Sequence, residues 1–175
     1  VLRTTNNEGR SYNNFQWPLE IGACVTAPAW HDNAVCGGGL HGLPWGEGSP
    51  HYCDGVLWWV IEVDPAQGYQ HGSGNMTDKC KFRTGVVRYF GQRDAAIALI
   101  QATMPANTRL NWSTQKAGDR STQTAGYDST QTAGLDSTQK AGDDSTQTAG
   151  DDSTQTAGDR STQTAGDDST QKAGD

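Results

Sequence analysis

Cys36, His41, His51 and Cys53 are side-chain types that bind zinc, and they lie close together around a glycine-rich stretch. Their spacings, C-x4-H and then H-x-C, lack the paired C-x2-C or H-x3-H pattern of zinc sites, so no metal is assigned to them. The segment Cys36-Gly37-Gly38-Gly39-Leu40-His41-Gly42 also offers His41 for proton transfer, with Glu62 or Glu47 as a partner acid. No full triad accompanies it, and a glycine-rich turn with one histidine is more often structural. No catalytic residue and no cofactor are therefore assigned. Four cysteines without a C-x-x-C allow two disulfides in three connectivities and leave the redox state open. Asn75-Met76-Thr77 and Asn111-Trp112-Ser113 match glycosylation sequons, which matter only in a secreting eukaryote.

The other chemistry in the chain is that of a surface. From Ser113 onward the octapeptide Ser-Thr-Gln-(Thr/Lys)-Ala-Gly-x-(Asp/Arg) is written eight times, starting at Ser113, Ser121, Ser129, Ser137, Ser145, Ser153, Ser161 and Ser169. The last copy is one residue short, as expected of an array truncated from a longer protein. Self-similarity at a fixed period outranks other signals because it sets the architecture. A disordered polar tail is one reading of so polar an array. The run Ser-Thr-Gln-Thr-Ala, bounded by Gly-Asp or Gly-x-Asp turns, favours a β-solenoid of short stacked strands. Lysine replaces the fourth residue at Lys116, Lys140 and Lys172, so that position faces water. Strand alternation then turns the second-position Thr outward too, and Ser, Gln and Ala inward. Gln123, Gln131, Gln139, Gln147, Gln155 and Gln163 are the expected inward ladder, one amide per coil at about 4.8 Å.

With two octapeptides per 16-residue coil, odd units line one face and even units the other. The odd face displays Thr130, Thr132, Thr146, Thr148, Thr162 and Thr164, broken at its start by Lys116; Lys140 and Lys172 interrupt the even face. Thr-x-Thr repeats at about 7 Å along the strand and about 4.8 Å between coils. Such a rigid lattice of methyls and hydroxyls could order water, although exposed threonine is also simply a good strand former. In the turns, Asp151-Asp152 stacks over Asp167-Asp168, and these like charges repel; Arg120 and Arg160 can relieve this only in their own rows.

The rest of the chain is of another kind. All but one of the 14 aromatic residues lie at or before Trp112, with every cysteine, methionine, histidine and proline. The net charge of -7 also sits mostly in the repeats, where 11 Asp face 5 Lys and Arg. That acidity argues against a nucleic-acid partner, and no apolar run approaches the roughly 20 residues of a membrane span. No secretory signal opens the chain, although a start at Val1 is compatible with a removed one. Residues 56–63 read as a strand buried on both faces at its centre, 81–83 and 86–90 as further strands, and 95–102 as a short helix capped by Asp94. The predicted organisation is an α+β capping module over 1–110, covering one end of an all-β solenoid over 111–175.

Ala125-Gly126-Tyr127-Asp128-Ser129-Thr130-Gln131-Thr132-Ala133-Gly134 resembles the repeats of bacterial ice nucleation proteins, which carry Ala-Gly-Tyr-Gly-Ser-Thr-Gln-Thr-Ala. The resemblance spans about the last third of the chain. Here Asp follows the tyrosine, the tyrosine occurs once, and the Leu-Thr octad of that family is absent. Gly9 through Trp17, the Val35 to Gly42 run and the Trp58 to Asp64 strand resemble an uncharacterised bacterial and phage module that precedes Ala-Gly arrays, which implies no known activity. The glycine-leucine-histidine stretch distantly resembles part of the ADP-ribosyltransferase-like folds. Three functions follow as expectations. One is a structural, self-assembling or ice-organising solenoid whose partners are itself, laterally or end to end, and ordered water or ice. Another is a phage or cell-surface interaction protein with the array as spacer, and the third an enzyme module with a repeat tail. The first is preferred; the compartment is left open, with an extracellular or cell-surface setting favoured over a cytoplasmic one.

Overall fold

A computed structural model of the chain describes residues 1–71 and 78–175; the sequon at Asn75 lies outside them. The chain divides into two compact units, Val1–Thr103 and Met104–Asp175, so residues 104–110 belong with the repeats.

The first unit is α+β. Strands β1 (Leu2–Thr5), β2 (Cys24–Thr26), β4 (Leu57–Glu62) and β7 (Thr84–Gly91) form an antiparallel sheet in the order β1-β4-β7-β2. Strands β3 (Leu40–Gly42), β5 (Tyr69–His71) and β6 (Cys80–Phe82) form a second, in the order β3-β6-β5. The apolar run predicted around residue 60 is β4, and Trp58, Trp59, Val60 and Ile61 are all buried. Alternation explains this: Trp59 and Ile61 enter a core with Trp17, Leu40, Phe82 and Val87. The opposite side of the strand is covered by α1 (Arg93–Thr103), which buries Ala96, Ile97 and Ile100. This helix starts at Arg93, so Asp94 is not its cap but sits in its first turn, where a carboxylate favours the positive end of the helix. Opposite β4, Val60 pairs with Tyr89 and Ile61 with Val87, which leaves Arg88 as the extra residue of a β-bulge.

The second unit is a β-solenoid. Its strands are β8 (Thr114–Lys116), β9 (Thr122–Thr124), β10 (Thr130–Thr132), β11 (Thr138–Lys140), β12 (Thr146–Thr148), β13 (Thr154–Thr156), β14 (Thr162–Thr164) and β15 (Thr170–Lys172). They form two parallel sheets, β14-β12-β10-β8 from the odd octapeptides and β15-β13-β11-β9 from the even ones. Thr130 pairs with Thr146, and Thr146 with Thr162, so each coil is two octapeptides long. Each three-residue strand from β8 to β14 ends at a corner whose eighth-position residue has a left-handed backbone. Arg120, Asp128, Asp136, Asp144, Asp152, Arg160 and Asp168 have φ between 48 and 56°. Aspartate is among the residues that tolerate this region best after glycine.

Candidate functional site

The two solenoid faces differ in texture. Thr130, Thr132, Thr146, Thr148, Thr162 and Thr164 are all exposed on the odd sheet. They form two rows in strict register, Thr130-Thr146-Thr162 and Thr132-Thr148-Thr164. Lys116 ends the second row, beside Thr132. On the even sheet Lys140 lies between Thr124 and Thr156, both half-buried. Lys172 pairs with Thr156 at the far rung. The odd sheet is thus the more uniform hydroxyl-methyl surface.

What holds that surface rigid lies beneath it. Gln123, Gln131, Gln139, Gln147 and Gln155 are buried, and Gln163 is half-buried. From Gln131 onward each amide nitrogen donates to the amide oxygen one coil back: Gln139 to Gln123 at 2.9 Å, Gln147 to Gln131 at 2.8 Å, Gln155 to Gln139 at 2.8 Å and Gln163 to Gln147 at 2.8 Å. The same nitrogens also cross the interior to the opposite sheet, as from Gln147 to the Thr156 carbonyl at 3.2 Å. Both N–H groups of the amide are used, so no oily core is needed to keep the two sheets together.

Serine and aspartate complete the corners, and neither role is visible in strand periodicity. The Ser129 N–H donates to the Ser145 hydroxyl, whose hydrogen reaches the Asp143 or Gly126 carbonyl. The seventh-position carboxylates accept a backbone N–H from the next coil: Asp119 from Leu135, Asp143 from Asp159, Asp151 from Asp167. The expected stack of Asp151 on Asp167 exists, but the Asp151 carboxylate also accepts the Asp167 amide hydrogen, a charge-assisted bond that offsets the repulsion. Asn111 plays the same part at the start, accepting from the Tyr127 N–H at 2.8 Å, and is buried. That leaves its side chain committed to the fold rather than open to a glycan. Arg120 lies 3.6 Å from Asp136 and Arg160 2.7 Å from Asp144, each within its own row.

In the first unit the chemistry-bearing residues do not assemble. Among the described residues no three His, Cys, Asp or Glu side chains converge to hold a metal ion. The cysteines are unpaired thiols: Cys24 and Cys36 exposed, Cys53 and Cys80 buried. Burial raises the Cys53 thiol to about 12. Burial, then the charges of Lys79, Lys81 and Arg3, lower His41 to about 4, so its imidazole is neutral near pH 7. The glycine-rich loop turns carbonyls toward a lysine. Its Gly37 carbonyl, with the Val35 carbonyl and the Asn33 side chain, accepts from the Lys81 ammonium at 3.2, 3.0 and 2.9 Å. A β-carbon on Gly39 would strike the Lys81 stem, which explains that glycine without a ligand.

Fold and surface together define a repeat protein, a β-solenoid preceded by an α+β unit. The chain matches no protein-family model, no curated protein and no solved structure. Among the described residues no helix is long and apolar enough to cross a membrane.

Proposed function

We propose that this is a structural repeat protein whose odd face organises water and binds ice, and that it is not an enzyme. The observation that carries this reading is the unbroken, exposed register of Thr130, Thr146 and Thr162 beside Thr132, Thr148 and Thr164. Paired hydroxyls and methyls recur at about 7 Å along the strand and about 4.8 Å across it, on a support that cannot relax because its amides are bonded in two directions. Resemblance to ice nucleation repeats agrees with it. A patch of this size shapes ice rather than nucleating it strongly; nucleation needs many solenoids aligned laterally or end to end.

Ice-shaping assays test the reading. Thr146→Lys with Thr148→Lys should abolish shaping and leave circular dichroism unchanged, whereas Thr154→Lys with Thr156→Lys on the even face should matter much less. Equal effects on the two faces would reject the assignment of the odd face, and no shaping by the unaltered protein would reject ice binding.

A further inference from the structure

The first unit contains a cavity of about 610 Å³ between the end of α1, β4 and the 3₁₀ turn Pro44–Gly46. That volume lies within the range of about 300–1,000 Å³ typical of small-molecule sites. Its inner wall is apolar, with Val63, Leu99 and Ile100.

Two features go beyond what packing requires. Trp45 lines the cavity with its side chain 41% exposed while its backbone sits at φ 53°, a conformation strained for a bulky residue. The fold thus holds a large aromatic plane at the opening instead of burying it. On the same cavity lies Arg88, the extra residue of the β7 bulge, paired with the Glu62 carboxylate. Bulges re-aim side chains, and this one sets a cation and an anion side by side at the edge of an apolar space.

From this arrangement we infer that the first unit binds a small aromatic zwitterion of the free aromatic α-amino acid class. The ring enters the apolar space against Trp45. The ligand carboxylate meets Arg88 and its ammonium meets Glu62, so each replaces part of the existing pair without leaving either charge unmatched. The site is independent of the threonine face and stands or falls separately from it.

The test is an NMR titration of the full chain, following the Trp45 indole N–H with L-tryptophan, indole and tryptamine as probes. L-Tryptophan should give a saturable shift and bind a few-fold more tightly than indole or tryptamine, the margin expected of charge pairs that stay about half exposed. Arg88→Gln should erase that margin while leaving indole binding unchanged. Thr103→Trp, on the exposed end of α1 at the cavity, should block all three probes; Leu99→Phe provides the same obstruction should that variant fail to fold. No saturable shift with any probe would overturn the site. Tryptophan binding no tighter than indole would overturn the zwitterion, and binding untouched by both obstructing variants would place the ligand elsewhere.

Discussion

The carboxylate of Asp143 occupies the space where a β-carbon on Gly158, in the next coil, would have to be. The same carboxylate accepts the Asp159 N–H at 3.1 Å. Asp119 stands in the same relation to Gly134, and Asp151 to Gly166. The sixth-position glycine and the seventh-position aspartate are therefore one device spread over two coils. At these glycines the requirement is room, since their φ values are not in the left-handed region.

Gly158→Ala should accordingly destabilise the solenoid by about 1–3 kcal/mol, the usual range for overpacking. Gly118→Ala, with nothing near its would-be β-carbon, should be close to neutral. Combining Gly158→Ala with Asp143→Ala should recover part of the loss. Urea unfolding of the unaltered protein, Gly158→Ala, Asp143→Ala and their combination measures the coupling, and strict additivity would show that the two residues do not share the space.

Gln147 donates to Gln131 and Thr156 and accepts from Gln163. Replacing it with leucine leaves buried partners unmatched, at a cost of about 1–3 kcal/mol. Thr148→Ser, on the exposed surface, should cost much less. The midpoints of chemical unfolding compare them directly, and an equally mild result for both would contradict the inward placement of the amides.

Arg160 forks the Asp144 carboxylate through Nε at 2.8 Å and Nη2 at 2.7 Å, and the Tyr127 hydroxyl bonds to the same group. The Arg160 bond chiefly, with that of Tyr127, lowers the Asp144 carboxyl below its ordinary 3.8, and the bond to Asp144 raises Tyr127 above its ordinary 10. A depressed carboxyl contributes stability that is in place above its unfolded pKa and is lost as pH falls through the folded one. A raised phenol contributes below its unfolded pKa and is lost as pH climbs through the folded one. Calorimetry should therefore show Arg160→Gln losing less melting temperature than the unaltered protein between about pH 7 and about pH 2.5. Arg120→Gln should change that difference little, because Arg120 and Asp136 remain 84% and 67% exposed.

Asp152 has φ 56° at its corner. The left-handed region costs an ordinary residue roughly 1–2 kcal/mol, and aspartate somewhat less, so Asp152→Gly should be neutral or stabilise by at most about 0.5–1 kcal/mol after the entropy of the freer unfolded chain is deducted. Asp152→Val should destabilise instead. Thermal melts suffice, and identical behaviour of the two variants would mean the corner is not constrained.

Much of the solenoid was legible because one octapeptide reports eight times on the same environment. Lysine at Lys116, Lys140 and Lys172 marks the outward position, and strand alternation orients the rest. The corner was less legible. Whether a Gly-Asp pair needs glycine for its φ or for the space above it depends on a neighbour 15 or 16 positions away, which no local pattern reveals. In the first unit the β4 run around Trp59 announced itself by its apolar length. The edge strands Leu2–Thr5, Cys24–Thr26 and Tyr69–His71 did not, because their short mixed sequences become strands only by pairing with distant partners. The cavity beside Trp45 was invisible for the same reason, since it is assembled from five separated segments and a bulge.

Every rung in the second unit joins a residue to the one 16 positions further on. The array therefore has a parity. Deleting or duplicating two adjacent octapeptides, by slippage between near-identical stretches of coding sequence, removes or adds a whole coil and leaves every downstream side chain on its original side. Losing a single octapeptide exchanges the sides for everything that follows, carrying Lys140 or Lys172 into the rows of Thr132 and Thr148. Changes in repeat number that preserve the surface must come in pairs.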